Sequence, residues 1–147
     1  MIVHWEGHDI QAWDAFHARA AAALQQDWAY GSSLAMLGVP VLRARVMREG
    51  EQIAQAQFIV RKWGGLGAMA LCTRGPVWGQ ALSPKEEAEA FKAMKKSLPL
   101  KGIRFMAVTP EVAFGQPHGL SSMRRIMLRL IQSALDKYKD SVSPARK

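Results

Sequence analysis

Between Val41 and Lys62 the sequence adopts a period of two, and this constrains the fold more than any other feature. Leu42, Ala44 and Val46 alternate with Arg43, Arg45 and Met47. After Glu49-Gly50, the segment Gln52 to Lys62 sets Ala54, Ala56, Phe58 and Val60 against Gln55, Gln57 and Arg61. Successive side chains on a strand point to opposite faces, so each segment reads as a half-buried strand. Glu49-Gly50 reads as the hairpin turn between them. Gly64-Gly65-Leu66-Gly67 turns the chain again, and Ala68 to Thr73 reads as a short, buried third strand. The expected unit is an antiparallel meander.

Helical signals flank it. Asp9 is placed to cap a helix whose apolar positions, Ile10, Trp13, His17, Ala20 and Leu24, recur at steps of three and four. Tyr30-Gly31-Ser32-Ser33 is expected to break that pattern. Ser83-Pro84-Lys85-Glu86 is the strongest local signal, with serine at the cap, proline at the first helical position and glutamate at the third. The helix it starts is expected to bury Phe91, Met94 and Leu98 and to stop at Pro99. Ile103 to Val108 reads as a further strand, ended by Pro110. A basic amphipathic segment closes the order, with Ile126, Leu130, Ile131, Ala134, Leu135 and Tyr138 on one side.

Helix, three antiparallel strands, helix, strand, helix predicts an α+β fold. The expectation is a GNAT-like mixed β-sheet, its antiparallel meander flanked by helices and extended by a strand–helix–strand crossover. At 147 residues, 49% hydrophobic and 22% charged, the chain suits one domain, expected over residues 1–140 with a flexible tail at 141–147. No stretch reaches about 18 apolar residues without a charge, so a spanning helix is not expected. Met1 to Glu6 lacks the pattern of a signal peptide. Cys72 is the single cysteine and lies in an apolar run. That excludes a disulfide framework and a thiolate metal site, predicts a buried, inert thiol and fits a cytoplasmic location. The formal charge of +8 favours anionic partners such as phosphates, tRNA or acidic head groups, without choosing among them.

A CoA-using GNAT enzyme needs a glycine-rich turn and a helix start that cradle the pyrophosphate with backbone N–H groups. The corresponding stretch here is Arg74-Gly75-Pro76-Val77-Trp78-Gly79. Val77 stands where the first glycine belongs, Pro76 removes a donor, and the next helix begins too far along. Acetyl-CoA is therefore not expected, and no cofactor is predicted.

Two segments resemble FemAB-type aminoacyltransferases, the family that forms peptidoglycan bridges. Leu24-Gln25-Gln26-Asp27-Trp28-Ala29-Tyr30-Gly31 is similar to the family's leucine-glutamine…tryptophan entry before the first long strand. Cys72-Thr73-Arg74-Gly75-Pro76-Val77 is similar to its Arg-Gly-Pro turn after the meander. The hairpin between them, with Gln55-Ala56-Gln57, also looks like the family's, and the match spans about residues 13 to 110. The resemblance implies the first of two tandem GNAT-like halves, in proteins about twice this length. Such enzymes pass an amino acid from aminoacyl-tRNA to a peptidoglycan precursor's peptide amine. It also implies that this chain alone lacks part of the cleft, so a homodimer that rebuilds the tandem arrangement is an expected partner state. Some members carry a basic residue just after the entry tryptophan to hold substrate phosphate; Tyr30-Gly31 occupy that stretch here.

The substrate-binding candidates are Trp28, Tyr30, Gln55, Gln57, Arg74 and Trp78. Trp28 and Trp78 serve either as packing or as a platform for a sugar or base. Arg74 is either a phosphate contact or a solvated turn residue, and Gly75 is explained by a turn with unusual backbone angles. Gln55 and Gln57 line a peptide-binding face or face water. His4, His8, His17 and His118 show no metal spacing. Asp27, Glu111 and Asp136 are isolated carboxylates, and no catalytic residue is assigned. Around the final apolar stripe, Arg124, Arg125, Arg129, Lys137 and Lys139 either lie on an anionic membrane surface or face water from a helix or strand docked on the sheet. Two other functions stay open: a non-catalytic module binding precursor or RNA, and a small-molecule N-acetyltransferase.

Overall fold

In the computed structural model, which describes residues 1–5, 9–62, 64–99 and 102–110, the central hairpin forms at the expected turn. Strands β2 (Val41–Arg48) and β3 (Glu51–Lys62) pair antiparallel from Arg48↔Glu51 to Val41↔Ile59. Glu49 and Gly50 both take left-handed angles, φ 51° and 85°, as a two-residue hairpin with right-handed strand twist requires. A short strand β1 (Ile2–His4) pairs antiparallel with β2. On the other side, β4 (Ala68–Thr73) runs antiparallel to the far end of β3. Helix α3 (Pro84–Lys96) then carries the chain across so that β6 (Ile103–Thr109) lies parallel to β4. The two-residue β5 (Val77–Trp78) pairs with the beginning of β3. Among the described residues this is a mixed, six-stranded sheet ordered β1-β2-β3-β4-β6, with β5 set on β3. It matches the expected α+β layout.

The structure departs from expectation before the hairpin. Helix α1 (Ile10–Arg19) starts on Asp9, whose carboxylate accepts from Gln11 N at 2.8 Å, but its buried residues are Trp13 and Phe16. Ile10 is 50% exposed, and Leu24, 64% exposed, lies beyond the helix in a 3-10 turn, Leu24–Gln26. Ala21, at φ 46°, turns the chain away first. Tyr30-Gly31-Ser32-Ser33 forms the middle of helix α2 (Trp28–Met36) instead of a break. Asp27 caps it, accepting from Ala29 N at 2.8 Å and Tyr30 N at 3.2 Å. The serines do not compete with the helix, because Ser32 and Ser33 donate back to Trp28 O and Ala29 O, four residues earlier.

Register divides the sheet into two faces. Ala44, Val46, Ala54, Ala56, Phe58 and Val60 are buried on one, which α3 covers with Ala90, Phe91 and Met94. Leu98 lies past the helix end and is only half-buried. Trp5 joins this layer, tilted against Phe58 at 5.7 Å, and donates through its indole N–H to Ser97 Oγ. Arg43, Arg45, Gln55 and Gln57 occupy the opposite face, on the side of α1 and α2. Strand β3 is thus covered on both faces. The polar half of its alternation does not meet water, and its middle must hydrogen-bond internally.

The expected final amphipathic helix, the domain end at residue 140 and the tail at 141–147 lie outside the described residues.

The capping box at Ser83 is complete. Glu86 N donates to Ser83 Oγ at 3.3 Å, and Glu86 Oε2 accepts from Ser83 N at 2.8 Å. Ser83→Ala should lower unfolding stability in a urea titration by about 1 kcal/mol. Hydrogen bonds from Ser83, followed by Arg48, hold the Glu86 carboxyl below its ordinary value. A carboxylate depressed in the fold contributes stability above its unfolded pKa and loses it as pH falls through the folded one. Acid titration of Glu86→Gln should therefore show a shallower loss of stability than the parent.

Candidate functional site

The two motif segments meet through one side chain. Strands β4 and β5 lie along the same edge of β3, β4 opposite Ile59 to Lys62 and β5 opposite Ala54 and Gln55. Between them the chain leaves the sheet at Arg74-Gly75-Pro76, and the backbone of Gln57 has no strand partner on that edge. The carboxamide of Gln26 fills the gap. Its Oε1 accepts from Gln57 N at 2.7 Å, and its Nε2 donates to Gln57 O at 3.3 Å and to Thr73 O at 2.8 Å. A side-chain amide here performs the work of a strand peptide. Gln26 is 0% exposed, and its own carbonyl accepts from the Trp13 indole at 3.0 Å.

This insertion explains Gly75. The left-handed angle in the turn belongs to Arg74, φ 51°, and not to the glycine, correcting the expectation that Gly75 is there for its backbone freedom. A Cβ on Gly75 would lie 2.6 Å from Gln26 Cδ and 2.9 Å from Cys72 Sγ. Glycine is present because the carboxamide needs the space. The turn is tied down from β6, with Gly75 N donating to Thr109 O at 3.2 Å and Arg74 N to Thr109 Oγ1 at 3.3 Å.

A second cluster anchors α2 to the sheet. The Gln57 amide donates to Gln25 O at 3.2 Å and Asp27 O at 2.9 Å, and its Oε1 accepts from Arg43 Nε at 2.8 Å. Arg43 also donates to Trp28 O and Ser32 Oγ, and its guanidinium carbon stands 3.7 Å from the centre of the Trp28 ring. Burial lowers the Arg43 pKa from its ordinary value. Stacking on an indole and forked donation to two oxygens are the contacts a guanidinium tolerates when partly desolvated. The other edge of Trp28 meets Trp13 at 5.8 Å, near perpendicular. Gly31 makes this approach possible, since a Cβ there would fall 2.1 Å from Gln57 Oε1.

The six candidates divide accordingly. Trp28 and Gln57 belong to one network, with the half-buried Tyr30 on the same helix. Gln55 is beneath α1, donating to Trp13 O at 3.2 Å. At 0% and 2% exposure, Gln55 and Gln57 do not face water, which corrects that alternative; β3 has helices over both faces. Arg74 is exposed at the turn where parallel β4 and β6 end. Trp78 is on the α3 side, edge-on to Phe91 at 5.8 Å, and is not brought to the other five. Gln26, Arg43 and Gly31 were not singled out from the sequence. Arg43 looked like any outward residue of an amphipathic strand, and Gln26 carried only the signal of its place in a motif.

The stretch where a CoA enzyme would present its glycine cradle forms the Arg74 turn and β5 instead, and Val77 is buried against Gln55. Cys72 is fully buried, and burial pushes its thiol up to about 12. Among the described residues, no group of three or more His, Cys, Asp and Glu is placed to hold a metal ion.

Gly75→Ala and Gly31→Ala should each destabilise the fold by about 1–3 kcal/mol through overpacking. Gly75→Ala should cost less in a Gln26→Ala background, and a double-mutant cycle by chemical denaturation should give a coupling of about 1 kcal/mol or more. The Cys72 thiol should react with a thiol reagent only at the rate of unfolding, fast labelling of the native chain contradicting its burial.

No family model matches the chain, and no curated protein matches it in sequence. A solved structure titled "Crystal structure of FemX" shares its fold, with a TM-score of 0.65 at 17% identity, over 88% of this chain and 31% of that one. The chain therefore spans about a third of the length of the FemX structure, less than the half implied by a tandem pair. The relation to FemAB-type proteins is one of fold.

Proposed function

We propose that this chain is a FemAB-like acyltransferase domain that holds a peptidoglycan precursor and takes part in moving an amino acid onto it from aminoacyl-tRNA. What supports this reading is that the two segments resembling FemAB-type proteins meet directly, Gln26 of one bonding Thr73 of the other, within a fold shared with FemX. In the reaction, the precursor's amine attacks the ester carbonyl of the aminoacyl group. The C–N bond forms, the C–O bond breaks, and the tRNA hydroxyl leaves with a proton. Such chemistry asks a protein mainly to position an activated ester and an amine, which is consistent with a site lacking a catalytic triad.

Arg74 is the residue we assign to substrate phosphate. It is exposed at the carboxyl ends of β4 and β6, where open sheets form their ligand crevices. Trp28 and Tyr30 supply the flanking surface, with Gln55 and Gln57 beneath it. A cytoplasmic setting fits, because both substrates of this reading are made there. Among the described residues no helix is long and apolar enough to cross a membrane.

The formal charge of +8 favours a second reading, in which the chain binds precursor or RNA without catalysis. A homodimer is the form in which it would act alone. Calorimetry with a nucleotide-linked muropeptide precursor should show binding that Arg74→Ala weakens about tenfold, the loss of one charge-assisted contact. Lack of binding by the parent chain, to precursor and to aminoacyl-tRNA alike, would remove both readings. Binding without amino-acid transfer, from a chain that light scattering finds monomeric, would leave the non-catalytic one. Acetyl-CoA should leave the melting temperature unchanged, and a rise would revive the N-acetyltransferase alternative.

A further inference from the structure

The two ends of the sheet differ in charge. At the end where β3 finishes and β4 and β6 begin, the exposed residues Arg61, Lys62 and Arg104 stand beside the last turn of α3, which carries Lys95 and Lys96. The last residues of β3, the last turn of α3 and the first residues of β4 and β6 carry no Asp or Glu. The carboxylates Glu49, Glu51, Glu86 and Glu87 are at the other end, on the β2–β3 turn and the first turn of α3. Lys95 and Lys96 complement the negative end of the α3 dipole, which accounts for two of the five cations. It accounts for none of Arg61, Lys62 and Arg104, which lie on strands.

The same end exposes two large aliphatic side chains. Met36 and Leu37, the last residue and C-cap of α2, are 89% and 79% exposed. The loop they start reaches Pro40, whose carbonyl accepts from Val60 N at 2.9 Å, one residue before Arg61. Met36 and Leu37 therefore lie on the approach to the basic strand end. Phe105, beside Arg104, is 45% exposed and offers a π face, but Met36 and Leu37 offer none, and a phosphate backbone gains nothing from such aliphatic chains. An anionic bilayer uses both features: cations bind the head groups, and apolar side chains enter the boundary below them.

We propose that this end of the sheet docks on an anionic lipid surface, with Arg61, Lys62, Lys95, Lys96 and Arg104 on the head groups and Met36 and Leu37 inserted. The docking stands independently of the transferase reading and needs neither of its substrates.

The full chain tests it in co-sedimentation with vesicles of phosphatidylcholine, alone or mixed with phosphatidylglycerol. It should bind the mixed vesicles and not the neutral ones. Arg61→Glu with Lys62→Glu, and separately Lys95→Glu with Lys96→Glu, should each lower the partition on the order of tenfold or more. Met36→Ser with Leu37→Ser should lower it several-fold and leave a remainder that salt abolishes. Since Cys72 is fully buried, Leu37→Cys offers one accessible thiol for an environment-sensitive dye, whose emission should shift to the blue on mixed vesicles. All these positions are exposed, and circular dichroism checks that the variants fold. Failure of the parent to bind mixed vesicles overturns the proposal, as does binding indifferent to both charge reversals or an unmoved dye. It is overturned equally if the reversals abolish retention of an RNA oligonucleotide while vesicle binding persists. The same holds if Met36→Ser with Leu37→Ser dissolves a dimer seen by light scattering and leaves vesicle binding intact.

Discussion

One buried carboxamide holds the centre of this fold together. Where the chain leaves the sheet between β4 and β5, the peptide of Gln57 would face an apolar interior without a partner on that side. An unpaired backbone donor in such a place costs about as much as a lost hydrogen bond with its full desolvation, roughly 1–3 kcal/mol. Gln26 supplies both an acceptor and a donor at the required spacing, and its second amide hydrogen reaches Thr73 O. Several identities follow. Gly75 must lack a Cβ, Trp13 must approach the Gln26 carbonyl, and the Leu24–Gln26 turn must end where Asp27 can cap α2.

Around that contact, the α1–α2 side of the sheet is polar and enclosed at once. Gln57 links the capping turn to Arg43, and Arg43 grips the first turn of α2 by carbonyl, hydroxyl and indole. A network of this kind is specific because each member is satisfied only in one arrangement, and a half-made version would leave a buried charge or amide exposed to its desolvation cost. It orients Trp28 and Tyr30 and, through Gln26, ties them to the turn bearing Arg74. On the α3 side the buried residues are apolar, Ala44, Val46, Ala56 and Phe58 on the sheet and Phe91 and Met94 on the helix. One sheet thus combines a rigid apolar layer with a polar one whose parts are linked from helix to turn.

Likeness to FemX is likeness of framework, and a framework by itself fixes no chemistry. The Arg74 turn and β5 occupy the stretch where a CoA-using GNAT enzyme would need its pyrophosphate cradle. This sequence has spent that stretch on a sheet contact, Val77 opposite Gln55, instead of on a ring of free N–H donors.

Much of the scaffold was legible from residue order alone. The β2–β3 hairpin, β4, β6, the parallel crossover and the capped start of α3 follow from alternation, from Glu49-Gly50 and from Ser83 to Glu86, because these signals act over a few neighbouring residues. Strands β1 and β5 were not legible: three and two residues are too few for a period, and both exist only because a longer strand offers them an edge. The middle of α2 was misread for a related reason. Glycine and paired serines weaken a helix locally, yet here the Asp27 cap and packing on Gln57 outweigh that cost. Gln55 and Gln57 show the limit most clearly. Alternation established that they oppose the apolar face, but whether that side meets water or another layer depends on where α1 and α2 come to rest. Sequence determined which residues share a face; only tertiary structure decided that both faces are covered, because burial is set by what packs from a distance and not by neighbours along the chain.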